Sequence, residues 1–151
     1  MNAKTLSILA IVLWLAGAVT IGSLFVLGKT ETAPDGREAV ILSESERNFI
    51  LGEMRNMLAS IQSIVSAVAE DDMKSVEKIA LAIGTAEVRN VPKSLMLKLP
   101  RSFKAMGSEN HVKFDQVAAQ SKVGGKAVLK QLGDLMTNCV ACHESYSLKA
   151  E

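Results

Sequence analysis

Between Leu6 and Gly28 the chain runs for 23 residues without a charged side chain. At the ~1.5 Å rise of an α-helix this stretch spans about 35 Å, enough to cross the hydrocarbon core of a bilayer. Inside lipid the backbone polar groups must be satisfied locally, so the run is expected to be one apolar helix. The competing reading is a cleaved export signal, whose apolar core is shorter, about 7–15 residues, and ends at a small-residue cleavage site. Ala16-Gly17-Ala18 would suit such a site, but the length of the run favours a retained anchor over residues 1–28. Trp14 lies within it as lipid-facing bulk.

Lys4 is the only charged residue before Lys29, which leaves 16 basic and 16 acidic side chains for the rest of the chain. That balance gives no basic stripe of the kind a nucleic-acid surface requires. Hydrophobic residues make up 48% of the chain against 4% aromatic, and Gly and Pro are sparse. Helices packed through Leu, Ile, Val, Ala and Met fit this composition better than a β-sandwich.

Residues 29–42, with Pro34, Asp35 and Gly36 in a row, read as a turn-rich linker. A domain is expected from 43 to 151. It opens on Ser43-Glu44-Ser45-Glu46, a capping box with Ser43 as N-cap and Glu46 three residues on. The first helix, about 44–69, has two overlapping apolar rows. Ile50, Met54, Met57, Ile61, Ile64 and Val68 form one; Leu51, Met54, Leu58, Ile61, Val65 and Val68 form the other. Both alternate steps of three and four, the mark of a helix buried along one stripe. After the solvated turn Glu70-Asp71-Asp72, a second helix is expected over about 72–84, with Met73, Val76, Ile79, Ala80 and Ile83 inward and Gly84 closing it. A short helical turn near 92–98 follows, since Pro92 and Pro100 each suit a helix start. A third helix covers about 100–121 with Phe103, Met106, Phe114 and Val117 inward. Beyond the break at Gly124-Gly125, a fourth covers about 126–148 with Leu129, Leu132, Leu135, Met136, Cys139 and Val140 inward. The expected fold is all-α: an antiparallel four-helix bundle behind a single membrane helix.

Late in the fourth helix stands Cys139-Val140-Ala141-Cys142-His143, and the chain has no other cysteine. C-x-x-C-H reads as the attachment site of a c-type haem. Cysteines at i and i+3 on a helix face the same way and can bond one porphyrin edge, and the next residue can turn an imidazole onto the iron. Other readings exist. A disulfide-exchange pair would want a βαβ setting, which the pattern lacks. Half a zinc site would want a second Cys pair. Two buried helical cysteines could also fit the spacing by chance.

With its late C-x-x-C-H and following Tyr146, the segment 43–151 resembles the class II c-type cytochromes of the cytochrome c′ type. The resemblance rests on Cys139, Cys142, His143 and Tyr146. It implies a four-helix bundle with one covalent haem c, held by thioethers from Cys139 and Cys142 and ligated by His143. Because such haems are attached outside the cytoplasmic membrane, it also implies an inner-membrane, single-pass protein with its haem domain on the periplasmic side. Relatives commonly carry Arg four residues after the ligating His, for a haem propionate; here Ser147 occupies that place, and Arg47 or Lys149 is the candidate substitute.

In that family the group facing the proximal His comes from the first bundle helix. Met54 lies at the centre of the apolar stripe and is the expected distal ligand, with Leu51 one turn before it and Met57 one turn after as alternative registers. A Met ligand makes the iron six-coordinate and raises its reduction potential, which suits electron transfer; Leu would leave it five-coordinate and open to gases. His111 reads as a surface or haem-edge imidazole. The resulting expectation is a membrane-anchored electron carrier serving periplasmic or membrane-bound redox partners. The alternatives are a five-coordinate protein binding nitric oxide or carbon monoxide, and a haem subunit of a respiratory or photosynthetic complex; a homodimer is also open. No paired carboxylates and no nucleophile with a base point to an enzyme.

Overall fold

The computed structural model describes residues 2–151. Helix α1 spans Ala3–Leu27 and begins at Asn2, whose side chain accepts from the Thr5 amide at 2.9 Å. The hydroxyls of Ser7 and Thr20 donate back to the carbonyls of Ala3 and Ala16, so these two side chains are satisfied within the helix. Among the described residues of α1 none is buried in the protein. The helix is long and apolar enough to cross a membrane.

Five more helices follow: α2 Glu44–Ala69, α3 Met73–Ile83, the short α4 Leu95–Lys98, α5 Arg101–Gln120 and α6 Gly125–Ser145. A 3₁₀ turn at Glu87–Asn90 precedes α4. Ser43 closes the capping box with Glu46, and Asp72 caps α3 through the Ser75 amide. Helix α2 packs on α3 and α6, α3 packs on α5, and α5 packs on α6, which closes a ring of four. Their shared core contains Ile64, Val76, Phe114, Val117, Val128, Leu132 and Leu135. Of the two apolar rows on α2, the one with Ile50 and Ile64 is turned inward; Leu58 and Val65 of the other are exposed. On α6 the inward residues include Val128, Leu132, Leu135 and Cys142, whereas Leu129, Met136 and Val140, expected inward, are exposed.

The all-α expectation is corrected by a small sheet. Thr30–Thr32 forms β1, Glu38–Leu42 forms β2 and Tyr146–Ala150 forms β3, in the order β1-β2-β3. The stretch 29–42, expected to be a linker, is a β-hairpin turning at Pro34-Asp35-Gly36, with Gly36 at φ +87°. The fourth helix, expected to reach 148, stops at Ser145 because the next five residues pair in parallel with β2, from Glu38↔Tyr146 to Leu42↔Ala150. That pairing satisfies an edge and buries Tyr146 against Phe103, ring centroids 5.3 Å apart and nearly perpendicular. Val40, Leu42, Ile50, Leu95, Leu99, Phe103, Cys142 and Tyr146 form a second core beneath the sheet.

No slack separates α1 from this body. The Lys29 amide donates to the Lys98 carbonyl at 2.8 Å, and β1 starts one residue later. At the joint Gly28 has φ +71°, and a Cβ there would lie 2.5 Å from the Pro100 nitrogen and 2.6 Å from the Lys98 oxygen. Both the left-handed backbone and the close approach require glycine. Gly28→Ala is expected to cost about 2 kcal/mol or more. Gly17→Ala, where nothing lies within 4 Å, is the neutral control. Chemical unfolding of the two variants in detergent, followed by circular dichroism, measures the difference.

Glu46 links the start of α2 to α4. Its carboxylate accepts from Lys98 Nζ at 2.7 Å and from the Ser43 amide at 3.0 Å. The Lys98 ammonium, helped by Ser43, holds its pKa down to about 2. A carboxyl depressed on folding contributes stability that is fully present above its unfolded pKa, near 4.5, and is lost as pH falls toward 2. Glu46→Gln is therefore expected to lower stability at pH 7 by about 1 kcal/mol and to flatten the acid side of the profile. Thermal unfolding between pH 7 and pH 2 checks both.

Candidate haem-attachment site

The last two turns of α6 carry Cys139, Cys142 and His143. Cys142 is buried, 8% exposed, in the core beneath the sheet; Cys139 is half-buried against the core of the four helices. The pair thus straddles the two cores. Neither sulfur is in a disulfide. His143 is exposed at the rim of a cavity of about 250 Å³. Helix α2 contributes Leu51, Met54 and Arg47 to the same cavity; Phe103, Cys142, Tyr146 and Ser147 complete much of its wall. Met57, one turn on, is absent from this wall and lines a second cavity of about 340 Å³. Met54, Phe103 and Cys142 line both cavities and stand between them.

Arg37 was not foreseen as a site residue. It follows the hairpin turn, and its guanidinium donates to the His143 carbonyl at 3.2 Å and the Tyr146 carbonyl at 3.1 Å. It therefore closes the C-terminal end of α6 and holds the backbone of His143. Asp35 anchors it through Nε at 2.8 Å, a bond that raises the Arg37 pKa and lowers that of Asp35. Arg47, the expected propionate partner, lines the cavity with its Nε 3.5 Å from the Leu148 carbonyl. Lys149, the other candidate, points elsewhere and pairs with Glu31 at 2.6 Å. Two guanidiniums, not a Lys, flank the first cavity.

His111 is buried, 7% exposed, which corrects its reading as a surface residue. Its Nδ1–H donates to the Ile83 carbonyl at 2.7 Å, and its ring lines the second cavity with Met54, Met57 and Cys142.

Electrostatics separate the readings of the cysteine pair. Burial pushes both thiols above their ordinary range; at Cys142 the neighbouring Cys139 adds to this, and at Cys139 a backbone hydrogen bond and the Lys113 ammonium work against it. A disulfide-exchange pair needs the opposite, a thiolate stabilised by a helix N-terminus or a cation. Here the pair sits near the negative end of the α6 dipole. Among the described residues no three His, Cys, Asp or Glu side chains are grouped to hold a metal ion.

The donor set suits a covalently held haem: a thiol, the adjacent imidazole, a facing thioether and two guanidiniums border one space. The fit is close in chemistry and narrower in volume. Each cavity lies near the lower bound of about 300 Å³ for a cofactor site, Cys139 lines neither, and Met54, Phe103 and Cys142 are shared by both walls. No protein-family model, curated protein or solved structure matches the chain.

Proposed function

We propose that the protein is a membrane-anchored c-type cytochrome that carries electrons through one covalent haem. Cys139 and Cys142 would form the thioethers, His143 would be the proximal ligand, and Met54 the distal one. The bound haem supplies the ferric/ferrous couple. The observation that carries the reading is that Cys142, His143 and Met54 border a common cavity. In this reading α2, α3, α5 and α6 form an antiparallel four-helix bundle around the haem, and α1 is a single inner-membrane span with the domain on the periplasmic side.

Each residue then has a stated task. The sulfurs of Cys139 and Cys142 fix the porphyrin edge. His143, its carbonyl held by Arg37, presents its imidazole from the end of α6. Met54 offers a soft thioether that favours ferrous iron and raises the potential. Arg47, and Arg37 beyond its pairing with Asp35, would balance propionate charge from the cavity wall. Phe103 and Leu51 keep the space apolar, which limits solvent access and tunes the potential. The partners would be periplasmic or membrane-bound redox proteins, and a homodimer or a place in a respiratory or photosynthetic complex is compatible with this role.

A second reading is favoured by one observation: Leu51 lines the same cavity as Met54. With Leu51 over the iron, the site would be five-coordinate and would bind nitric oxide or carbon monoxide. The ferric spectrum decides between them. A low-spin spectrum insensitive to carbon monoxide after reduction supports electron transfer; a high-spin spectrum that shifts with the gas supports the second reading.

A further inference from the structure

The segment on which the end of α1 packs is unlike the rest of the chain. From Val88 to Ser108 there are five basic residues, Arg89, Lys93, Lys98, Arg101 and Lys104, and no acidic one, in a chain whose net charge is +1. The remainder is therefore net acidic. This basic stretch contains α4 and the start of α5, the helices on which α1 packs. Lys104 Nζ donates to the Phe25 carbonyl and the Met96 carbonyl, both at 2.8 Å, and lies 3.8 Å from the Phe25 ring centre. Next to it, Met96 and Leu97 are 42% and 45% exposed. Arg89, Lys93 and Arg101 are exposed and make no ion pair among the described residues.

We infer that the surface formed by residues 89–104 rests on the bilayer that α1 enters, with Met96 and Leu97 in its interfacial zone and Arg89, Lys93 and Arg101 on anionic lipid headgroups. The inference rests on reading α1 as a membrane span and is independent of whether haem is bound. Three features favour lipid as the occupant. The apolar run of α1 ends at Gly28, and the Lys29 amide is already bonded to Lys98, so this segment lies at the point of exit. Apolar side chains ringed by Lys and Arg match the interfacial layer, where alkyl groups meet headgroups. Unpaired cations on a net-acidic body match anionic lipid, each contact being worth about fivefold in binding. The consequence is a domain held flush to the membrane in one orientation, with no free tether.

The test uses the full chain in nanodiscs of phosphatidylcholine with a minority of phosphatidylglycerol. A photo-crosslinking benzophenone residue replaces Leu13, Leu97 or Val123 in separate proteins, and lipid adducts are counted by mass spectrometry. Leu13 reports the span; Val123 is the control, since it follows α5, whose 20 residues extend about 30 Å. Lipid adducts are expected at positions 13 and 97 and not at 123. Combining Arg89→Glu, Lys93→Glu and Arg101→Glu is expected to lower the yield at 97 by about tenfold or more and leave that at 13 unchanged. Adducts at 13 with position 97 no higher than 123 would overturn the docking and leave the span standing. An unchanged yield at 97 in the triple variant would overturn the headgroup contacts. Absence of adducts at 13 would remove the span and the docking together.

Discussion

Cys142→Ala, made in a host competent in haem ligation, is expected to lose nearly all covalent haem, whereas Cys139→Ala keeps a measurable fraction. The motif alone would treat the two thiols as equivalent. The fold does not. Cys142 borders both cavities together with Met54 and is followed by His143, whereas Cys139 borders neither and packs against the core of the four helices. A porphyrin in this space would meet Cys142 first, and a second thioether to Cys139 would require a local shift of α6 or its neighbours. Haem-stained denaturing gels and pyridine haemochrome spectra of both variants measure the ratio. Equal loss in both would mean that the cysteines already act as a unit and that the asymmetry between the two cores is erased on attachment. Retention of full haem in Cys142→Ala would contradict the site.

Met54→Leu is expected to convert a low-spin ferric spectrum to a high-spin one, to open the ferrous iron to carbon monoxide, and to lower the reduction potential by roughly 0.1 V or more. Leu is nearly isosteric with Met, so the fold should lose less than about 1.5 kcal/mol, and the spectral change reads ligation and not damage. Met57→Leu is the matched control, because Met57 lines only the second cavity. An unchanged spectrum in Met54→Leu would exclude Met54 as ligand. A wild-type protein already high-spin would favour the gas-binding reading with Leu51 over the iron.

Local signals carried the helices. Ser43 and Glu46 marked the start of α2 to the residue, the acids Glu70-Asp71-Asp72 marked that of α3 to within about one residue, and the spacing of Ile50, Ile64, Val76, Phe114 and Leu132 named much of the core. Two rows on α2 remained degenerate because an unpaired helix has no preferred side; packing against α3 and α6 selects the row of Ile50 and Ile64. The sheet was hidden for a different reason. Strand β2 has five residues and pairs in parallel with residues more than a hundred positions away, and no local periodicity reports such a partner. The signal that was present, Pro34-Asp35-Gly36 ahead of Ala39-Val40-Ile41-Leu42, fits a hairpin turn and a short buried strand.

The site divides the same way. That Cys142, His143 and Met54 meet at one cavity follows from a motif and an apolar stripe, which are sequence properties. The role of Arg37 was not legible in this way, since it depends on the hairpin bringing that guanidinium to the end of α6. The burial of His111 was also out of reach, since it follows from a carbonyl 28 residues away. Nor could spacing alone divide Cys139 from Cys142. Residues at i and i+3 differ by about 60° around a helix, close enough to share a face and far enough apart to meet different cores.

Intact mass spectrometry of the full chain, made in a host able to ligate haem and treated with an alkylating reagent after denaturation, tests the covalent-haem claim most directly. The expected result is a single species heavier by one haem, with neither Cys139 nor Cys142 alkylated. A colourless protein at the mass of the bare chain plus two alkyl groups would contradict it.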